Sequence, residues 1–271
     1  MTDIHDIGYG RQFADFYDRL FPGGPAVAQT VRRLADLHPG DGAATLELGV
    51  GTGRVALPLA KLVGPVVGVD SSPEMLAVLT ETMAADGPVT AVIGDGSVAP
   101  AVGDPVTPVL GDLRHWADER QYGLVYCVCG TLSMLLDPQE QARAVQTAAD
   151  RLAPGGTLVI ETHNPAFALA LNQGRARESY FTPYPVRDTG LLSYSTIDAD
   201  RRIWHLSHIW FEQGRSRIAT ELSRLTTPDE VDAYAEQAGL RLVERHSDWA
   251  GTPFTGTEPM HISVYRPADA R

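Results

Sequence analysis

Residues 45–54, with the sequence TLELGVGTGR, constrain the fold more than any other part of this chain. An apolar run ends in three glycines at alternate positions, Gly49, Gly51 and Gly53, and a helical pattern of apolar residues follows at once. Glycine adopts positive φ angles at low cost, and its missing Cβ lets a ligand approach the backbone closely. The pattern therefore predicts a strand that turns tightly into a helix, with the free N–H groups of that helix facing a ligand.

The spacing of the glycines separates three classes of nucleotide site. A phosphate-binding P-loop requires Gly-Lys-Ser/Thr at its end, whereas Arg54 and Val55 follow Gly53. The dinucleotide fingerprint requires its third glycine three positions after the second, where this chain has Arg54. The pattern Glu-x-Gly-x-Gly-Thr-Gly, which begins at Glu47, resembles the first motif of the class I S-adenosylmethionine-dependent methyltransferases. The alternative is an ordinary strand–turn–helix junction without a ligand.

The composition is typical of a globular protein, with 44% hydrophobic and 21% charged residues among 271. The formal net charge of -12, from 34 acidic and 22 basic residues, argues against a nucleic acid as the main partner. The first residues lack the pattern of a signal peptide, and no apolar run is long enough to span a bilayer. We therefore expect a cytoplasmic protein with no nucleic-acid or membrane partner.

The two cysteines, Cys127 and Cys129, lie two positions apart on a predicted strand. At this spacing they are poorly placed to bond each other, so free thiols in a reducing compartment are the simple interpretation. Two cysteines without a second cluster also argue against a structural zinc site, and we expect no metal.

The resemblance covers residues 45–161 well and residues 227–267 by pattern only. It implies an α/β fold, a doubly wound and mostly parallel seven-stranded Rossmann-like sheet, whose seventh strand runs antiparallel between the fifth and sixth. We expect four parts: an N-terminal helical lid (1–40), a cofactor-binding core (41–165), an inserted antiparallel sheet that caps the substrate (166–225), and the C-terminal part of the core sheet (226–271).

The expected inserted sheet has three antiparallel strands, at 191–197, 203–212 and 216–225. On its middle strand Trp204, Leu206, His208 and Trp210 share one face. That face suits an organic acceptor, or it simply covers the core.

Carboxylates follow two of the predicted parallel strands. Asp70 ends the second strand, and ligands of parallel α/β sheets sit beyond such strand ends. A carboxylate there can accept hydrogen bonds from both ribose hydroxyls of a nucleoside; a solvated turn residue is the alternative. After the third strand, the resemblance implies that Asp112 contacts the adenine amino group and that Leu113 packs on the ring. Asp95, in a similar Gly-Asp-Gly sequence, is the rival candidate.

The resemblance implies S-adenosyl-L-methionine as cofactor and methyl donor. Tyr17 lies in a Phe-Tyr-Asp sequence. This sequence resembles the Tyr-Asp pair of the N-terminal helix that caps the cofactor in many small-molecule methyltransferases. The alternative is that the aromatic residues of this segment simply pack on the core. Glu47 is expected to orient the glycine loop or to contact the amino group of the donor. The complete set of expected cofactor-binding residues is Tyr17, Glu47, Gly49, Gly51, Gly53, Asp70, Ser71, Met75, Asp112, Leu113 and Cys129.

Methyl transfer requires donor and acceptor to be held in line at near-attack distance. A neutral amine attacks unaided, whereas a hydroxyl or an acidic carbon benefits from a base such as histidine. His163, after the fifth strand, and His208, in the inserted sheet, are the expected catalytic residues. His205 and His246 are further candidates, and a structural role is the alternative for each of the four.

The function that follows is methyl transfer from S-adenosylmethionine to a small-molecule acceptor by N- or O-methylation, for example of a secondary metabolite or a sugar. Two alternatives stay open: a protein of the same fold that uses the cofactor for other chemistry, and a non-catalytic binding subunit. A homodimer is left open as well.

Overall fold

The computed structural model describes residues 8–86, 91–92, 98–99, 104–184 and 186–268. The strands are β1 (Thr45–Leu48), β2 (Val66–Asp70), β3 (Ala91–Val92), β4 (Val98–Ala99), β5 (Val106–Leu110), β6 (Tyr122–Cys127), β7 (Leu152–His163), β8 (Arg177–Pro183), β9 (Thr189–Asp198), β10 (Ile203–Glu212), β11 (Arg215–Arg224), β12 (Leu240–His246) and β13 (Met260–Pro267). The helices are α1 (Tyr9–Phe13), α2 (Tyr17–Leu20), α3 (Pro25–Leu37), α4 (Ala56–Val63), α5 (Pro73–Asp86), α6 (Pro138–Asp150), α7 (Pro165–Leu171) and α8 (Pro228–Gln237), with a 3-10 turn at Thr131–Met134. No helix of the described residues is long and apolar enough to cross a membrane.

The main sheet has seven strands in the order β12-β13-β7-β6-β1-β2-β5. β13 pairs antiparallel with both β7 and β12, and the other neighbouring strands pair parallel. This confirms the expected fold class, including the antiparallel strand between the fifth and sixth strands of the family pattern. The chain runs outward from β1 to β5 and then returns to place β6 beside β1. Ligands of such sheets bind at this reversal, beyond the carboxyl ends of the strands.

Both faces of the main sheet are buried, as the continuous apolar runs of its strands predict. Leu46 and Leu48 of β1 pack under α6 and α8 on one face. Leu124 and Tyr126 of β6 pack against α3 and α4 on the other. The carboxyl ends of these strands are thereby held in fixed positions.

A second sheet of four antiparallel strands has the order β11-β10-β9-β8. Three of its strands match the expected ones to within two residues at either end. Its fourth strand, β8, is absent from the expected set. Most residues of its sequence, RESYFTP, are exposed, so no apolar face indicates a strand there. Helix α7 was missed too, although Asn164 caps it and Pro165 occupies its first position.

The N-terminal aromatic segment forms two short helices, α1 and α2, where the spacing predicts one. Phe16, at φ -135°, interrupts them with a non-helical conformation. Between α5 and β5, the short strands β3 and β4 pair antiparallel. The rival candidate Asp95 lies outside the described residues.

Candidate functional site

A crevice opens at the carboxyl ends of β1, β2, β5 and β6, where the strand order reverses. Its empty volume is about 980 Å³, part of it open to solvent. Pockets for small ligands and cofactors commonly reach this size. The glycine loop, the start of α5, the loops after β5 and β6, and the N-terminal helices form its walls.

The three glycines of the loop after β1 all have positive φ angles but serve different purposes. A Cβ on Gly51, at φ 55°, would meet no atom within 4 Å, so its backbone faces open space in the crevice. A Cβ on Gly49 would lie 2.4 Å from Thr131 Cγ2. Gly53 does not line the crevice, because it packs against Leu79 of α5. Of the three, Gly51 therefore presents the most accessible backbone.

Asp70 joins the end of β2 to two neighbouring segments. Its Oδ2 accepts a hydrogen bond of 2.8 Å from the backbone N–H of Gly51. Its Oδ1 accepts one of 2.9 Å from the backbone N–H of Ser72, the residue before α5. Ser71 and Met75 line the crevice beside it. The carboxylate is therefore fixed at the strand end, on the ligand side of the sheet.

Glu47 lies at the base of the crevice and is 3% exposed. Tyr126 donates a hydrogen bond of 2.9 Å to its Oε2. Burial raises the pKa of Glu47 to about 8, and the bond from Tyr126 opposes that shift. The carboxyl group is therefore mostly protonated at neutral pH until a cation approaches it.

Arg54, directly after the glycine motif, brings a positive charge into the crevice. Its Nη2 lies 2.9 Å from Cys129 Sγ, and its guanidinium also bonds the Tyr17 hydroxyl. Burial raises the pKa of the Cys129 thiol to about 12, so this thiol stays protonated. Arg54 is not among the binding residues expected from the sequence, although its position beside the last glycine is a usable signal.

Asp112 and Leu113 both line the crevice after β5. The Asp112 carboxylate is held by Arg114, whose Nε lies 2.9 Å from Oδ1 and 3.1 Å from Oδ2. Arg114 also pairs with Glu140 of α6. Both Asp112 and Arg114 are buried, so the pair fixes the wall of the crevice at this point. No sequence pattern indicated this partner of Asp112.

The N-terminal helices cover the crevice. Tyr9 and Tyr17 line it, and Thr52 of the glycine loop donates a hydrogen bond of 2.8 Å to Asp18 Oδ1. The remaining aromatic residues pack with Met75 and with the four-stranded sheet. The aromatic segment therefore packs on the rest of the protein and also contributes Tyr9 and Tyr17 to the wall of the crevice.

Neither of the two expected catalytic histidines lines the crevice. His163, the last residue of β7, is half-buried beside Gly130, and its partial burial lowers its pKa. His208 is buried on the inner face of the four-stranded sheet, with Nδ1 2.9 Å from Ser193 Oγ. His205 is exposed on the opposite face of that sheet, and His246 pairs with Glu244 at 3.0 Å on β12.

A buried carboxylate that sequence reasoning missed supports the loop after β6. Glu161 accepts hydrogen bonds from the backbone N–H of Cys129, at 2.7 Å, and from the indole N–H of Trp249, at 2.8 Å. Cys129 has a φ of 58°, which is uncommon for a residue with a side chain. Glu161 thus holds a strained residue of the crevice wall in place. Across the described ranges, no group of three or more His, Cys, Asp and Glu residues is arranged to hold a metal ion.

Comparisons with known proteins agree with this geometry. A family model described as a methyltransferase domain matches residues 45–156. The structure of the CcbJ methyltransferase from Streptomyces caelestis is 35% identical, with a TM-score of 0.79, and the match covers 97% of this chain and 100% of that one. The cypemycin N-terminal methyltransferase of a Streptomyces species is 27% identical over 239 residues, 87% of this chain and 86% of that protein.

A third match relates the fold to an enzyme of known acceptor. The S-adenosylmethionine-bound structure of an amino pentose methyltransferase from Micromonospora echinaspora has a TM-score of 0.65 at 21% identity. The match covers 92% of this chain and 95% of that one. With the glycine loop, the carboxylate at the end of β2 and the sheet order, these matches show that the chain belongs to the class I S-adenosylmethionine-dependent methyltransferases, a family that includes enzymes of small-molecule biosynthesis.

Proposed function

We propose that this methyltransferase acts on a small organic acceptor, bound between the crevice, the N-terminal helices and the inner face of the four-stranded sheet. The observation that carries the proposal is that an ion pair and a hydrogen bond connect the N-terminal helices to the four-stranded sheet beside the crevice. Arg19 of α2 pairs with Glu212 of β10 at 2.6 Å. Gln12 of α1 accepts a bond of 2.9 Å from the backbone N–H of Thr220.

This cover suits a small molecule better than a polymer. The Tyr184 hydroxyl donates a bond of 2.9 Å to the Leu20 carbonyl, which adds a third tie between sheet and helices. A nucleic acid needs an accessible basic surface, and the net charge of -12 gives no general attraction for one. The relatives named for the N-terminus of cypemycin and for an amino pentose are consistent with a compact acceptor.

The residues of the crevice fit S-adenosylmethionine. Gly51 leaves open space where a side chain would stand, and Asp70 offers its carboxylate at the strand end. We propose that Asp70 binds the ribose hydroxyls and that Asp112 and Leu113 bind the adenine. Tyr17, Gly49, Ser71, Met75 and Cys129 complete the proposed walls of this site.

Glu47 and Arg54 suit the two charged ends of the amino-acid part of the donor. The ammonium group of the donor would bind the Glu47 carboxyl group. The carboxylate of the donor would bind the Arg54 guanidinium. When bound, S-adenosylmethionine supplies an electrophilic methyl carbon next to a sulfonium. The chain then has to exclude water and to align the acceptor, which the covering helices and sheet are placed to do.

His163 and His208 remain our proposed catalytic histidines. The lowered pKa of His163 keeps its imidazole neutral at pH 7, the form in which it can accept a proton. Because it does not line the crevice, it would act on an acceptor that extends toward β10, whose Trp204 ring it contacts at 5.4 Å between centroids.

The test is to measure S-adenosylhomocysteine formation with sets of small amines, small alcohols and ribosomal RNA as acceptors. We expect turnover with a small molecule and none with RNA. Turnover with RNA alone, or tight donor binding without turnover on any acceptor, would overturn the proposal. We also predict a cytoplasmic location, because both cysteines are free thiols in the structure.

A further inference from the structure

The four-stranded sheet carries a carboxylate on its inner face that the donor site does not use. Glu221 lies on β11 between Ala219 and Ser223, which point to the same side and are both buried. The Glu221 side chain itself is 14% exposed. A carboxylate in this position is largely removed from water.

The side chain that faces Glu221 is a histidine, which a serine holds from its other ring nitrogen. Oε1 of Glu221 lies 3.5 Å from His208 Nε2, and His208 Nδ1 lies 2.9 Å from Ser193 Oγ. The three residues form a line across β11, β10 and β9. His208 is thus oriented by Ser193 and presented to the carboxylate.

Two of the three arginines of the same strand form ion pairs with other carboxylates. Arg217 pairs with Asp15, and Arg224 pairs with Glu230. Within the part of the chain that the structure describes, no lysine or arginine forms an ion pair with Glu221. Burying a carboxylate that has no lysine or arginine partner costs free energy. The binding of an external cation here would offset that cost.

The carboxylate lies on the inner face of the four-stranded sheet, near the N-terminal helices that take part in the proposed acceptor site. The His208 ring meets Phe13 of α1 at 6.1 Å between centroids, and Tyr9 stacks on that same phenylalanine at 4.2 Å. Burial and then the charge of Glu221 raise the pKa of Tyr9. The same charge acts on Tyr17, His163 and Tyr180, which belong to α2, β7 and β8. The charge of Glu221 therefore reaches groups of the N-terminal helices, of the main sheet and of its own sheet.

We propose that Glu221 binds the ammonium group of the acceptor, so that the substrate class of this enzyme is a primary or secondary amine. The inference rests on the proposed function and narrows it from N- or O-methylation to N-methylation. Aromatic rings beside the carboxylate add to the affinity for a cation.

The same pair accounts for the proton that an amine must lose. The Glu221–His208 pair takes one proton from R–NH3+, which leaves a neutral amine with a free lone pair. A bond then forms between this nitrogen and the methyl carbon as the C–S bond breaks, and the electron pair stays on sulfur. The product is R–NH2+–CH3, with S-adenosylhomocysteine, and one proton goes to solvent in each turnover. Glu221 touches the acceptor, and His208, the proposed catalytic histidine beside it, receives the proton from Glu221.

The experiment compares amines with alcohols of the same carbon skeleton, using glucosamine with glucose and alanyl-alanine with lactoyl-alanine as starting probes. Binding is measured by calorimetry with S-adenosylhomocysteine present, and turnover with S-adenosylmethionine. We expect the wild type to bind amines and not the matched alcohols. Glu221→Gln should weaken amine binding about tenfold or more, because a charged hydrogen bond is lost. Glu221→Asp should recover part of that loss.

The controls separate this inference from a general defect. Asp200→Asn removes one negative charge from the exposed turn between β9 and β10 and should leave amine binding unchanged. Donor affinity should be the same in the wild type and in Glu221→Gln. Equal binding of amines and alcohols, failure of every amine to bind, or unchanged amine affinity in Glu221→Gln would overturn the inference. Methylation of alcohols alone would overturn it while leaving the proposed function intact.

Discussion

The backbone N–H of Cys129 donates a hydrogen bond of 2.7 Å to Glu161 Oε2, and this contact joins the end of β7 to the loop after β6. The second carboxylate oxygen accepts from the Trp249 indole at 2.8 Å. One buried side chain thus connects the last loop of the sheet to a wall of the donor site.

Glu161→Gln should destabilise the protein and weaken donor binding. The amide has one acceptor oxygen for two donors, so one N–H is left unpaired at a cost of about 1–3 kcal/mol. Trp249→Phe is the matched control, because it removes one donor and leaves the carboxylate to hold Cys129. We expect a lower melting temperature in both variants and a weaker donor affinity by calorimetry only in Glu161→Gln. The same donor affinity in both variants would contradict this role.

Glu47 should make the stability of the free enzyme depend on pH. Its pKa of about 8 in the folded protein lies above the usual value of 4.5, so between these two the folded state binds a proton that the unfolded state has released. The free energy of unfolding therefore falls as pH rises through this window, by at most about 1.4 kcal/mol per pH unit from this group.

Glu47→Gln removes that proton and keeps an acceptor for Tyr126. Urea unfolding at pH 5.5, 7 and 8.5 should give a stability difference, variant minus wild type, that increases with pH. Glu161 titrates in both proteins and cancels from the difference. Parallel pH curves for the two proteins would show that Glu47 is ionised when folded.

Gly10→Ala should displace the helices that cover the crevice. The added Cβ would lie 1.8 Å from Ser72 Oγ and 2.6 Å from Ser72 Cβ, beside the N-terminus of α5. Overpacking of this kind costs about 1–3 kcal/mol. We expect weaker donor binding and a lower melting temperature. Gly23→Ala is the control, because its Cβ would meet nothing within 4 Å, and it should change neither quantity. Equal behaviour of the two variants would mean that α1 is not held against α5.

The sequence predicted the fold well where the signal is local. The glycine spacing and the strand that ends in Asp70 each depend on a few adjacent residues, and both were found in their expected elements. The antiparallel strand between the fifth and sixth strands followed from the family pattern. A mostly exposed strand such as β8 carries no such pattern.

The contacts that shape the site were harder to predict, because they join residues that are distant in sequence. Cys129 and Glu161 are 32 positions apart, and Arg54 and Cys129 are 75 apart. A glutamate inside an apolar strand such as β7 indicates only that it has some partner. The identity of that partner depends on which loops the sheet brings together. Sequence reasoning therefore found the residues that line the crevice better than those that support it.

The role of Asp70 is tested most directly by titrating S-adenosylmethionine into the wild type and into Asp70→Ala, with NADH titrated alongside. Asp70 lies at the carboxyl end of β2, where it lines the crevice. It accepts a hydrogen bond from the backbone N–H of Gly51 in the glycine loop. Loss of its charged hydrogen bonds should cost about 1.5–3 kcal/mol, which is a tenfold or greater loss of donor affinity. Thermal unfolding of both proteins checks that the variant is folded. The account predicts this loss together with no binding of NADH. Unchanged donor affinity in folded Asp70→Ala, or binding of NADH alone, would contradict it.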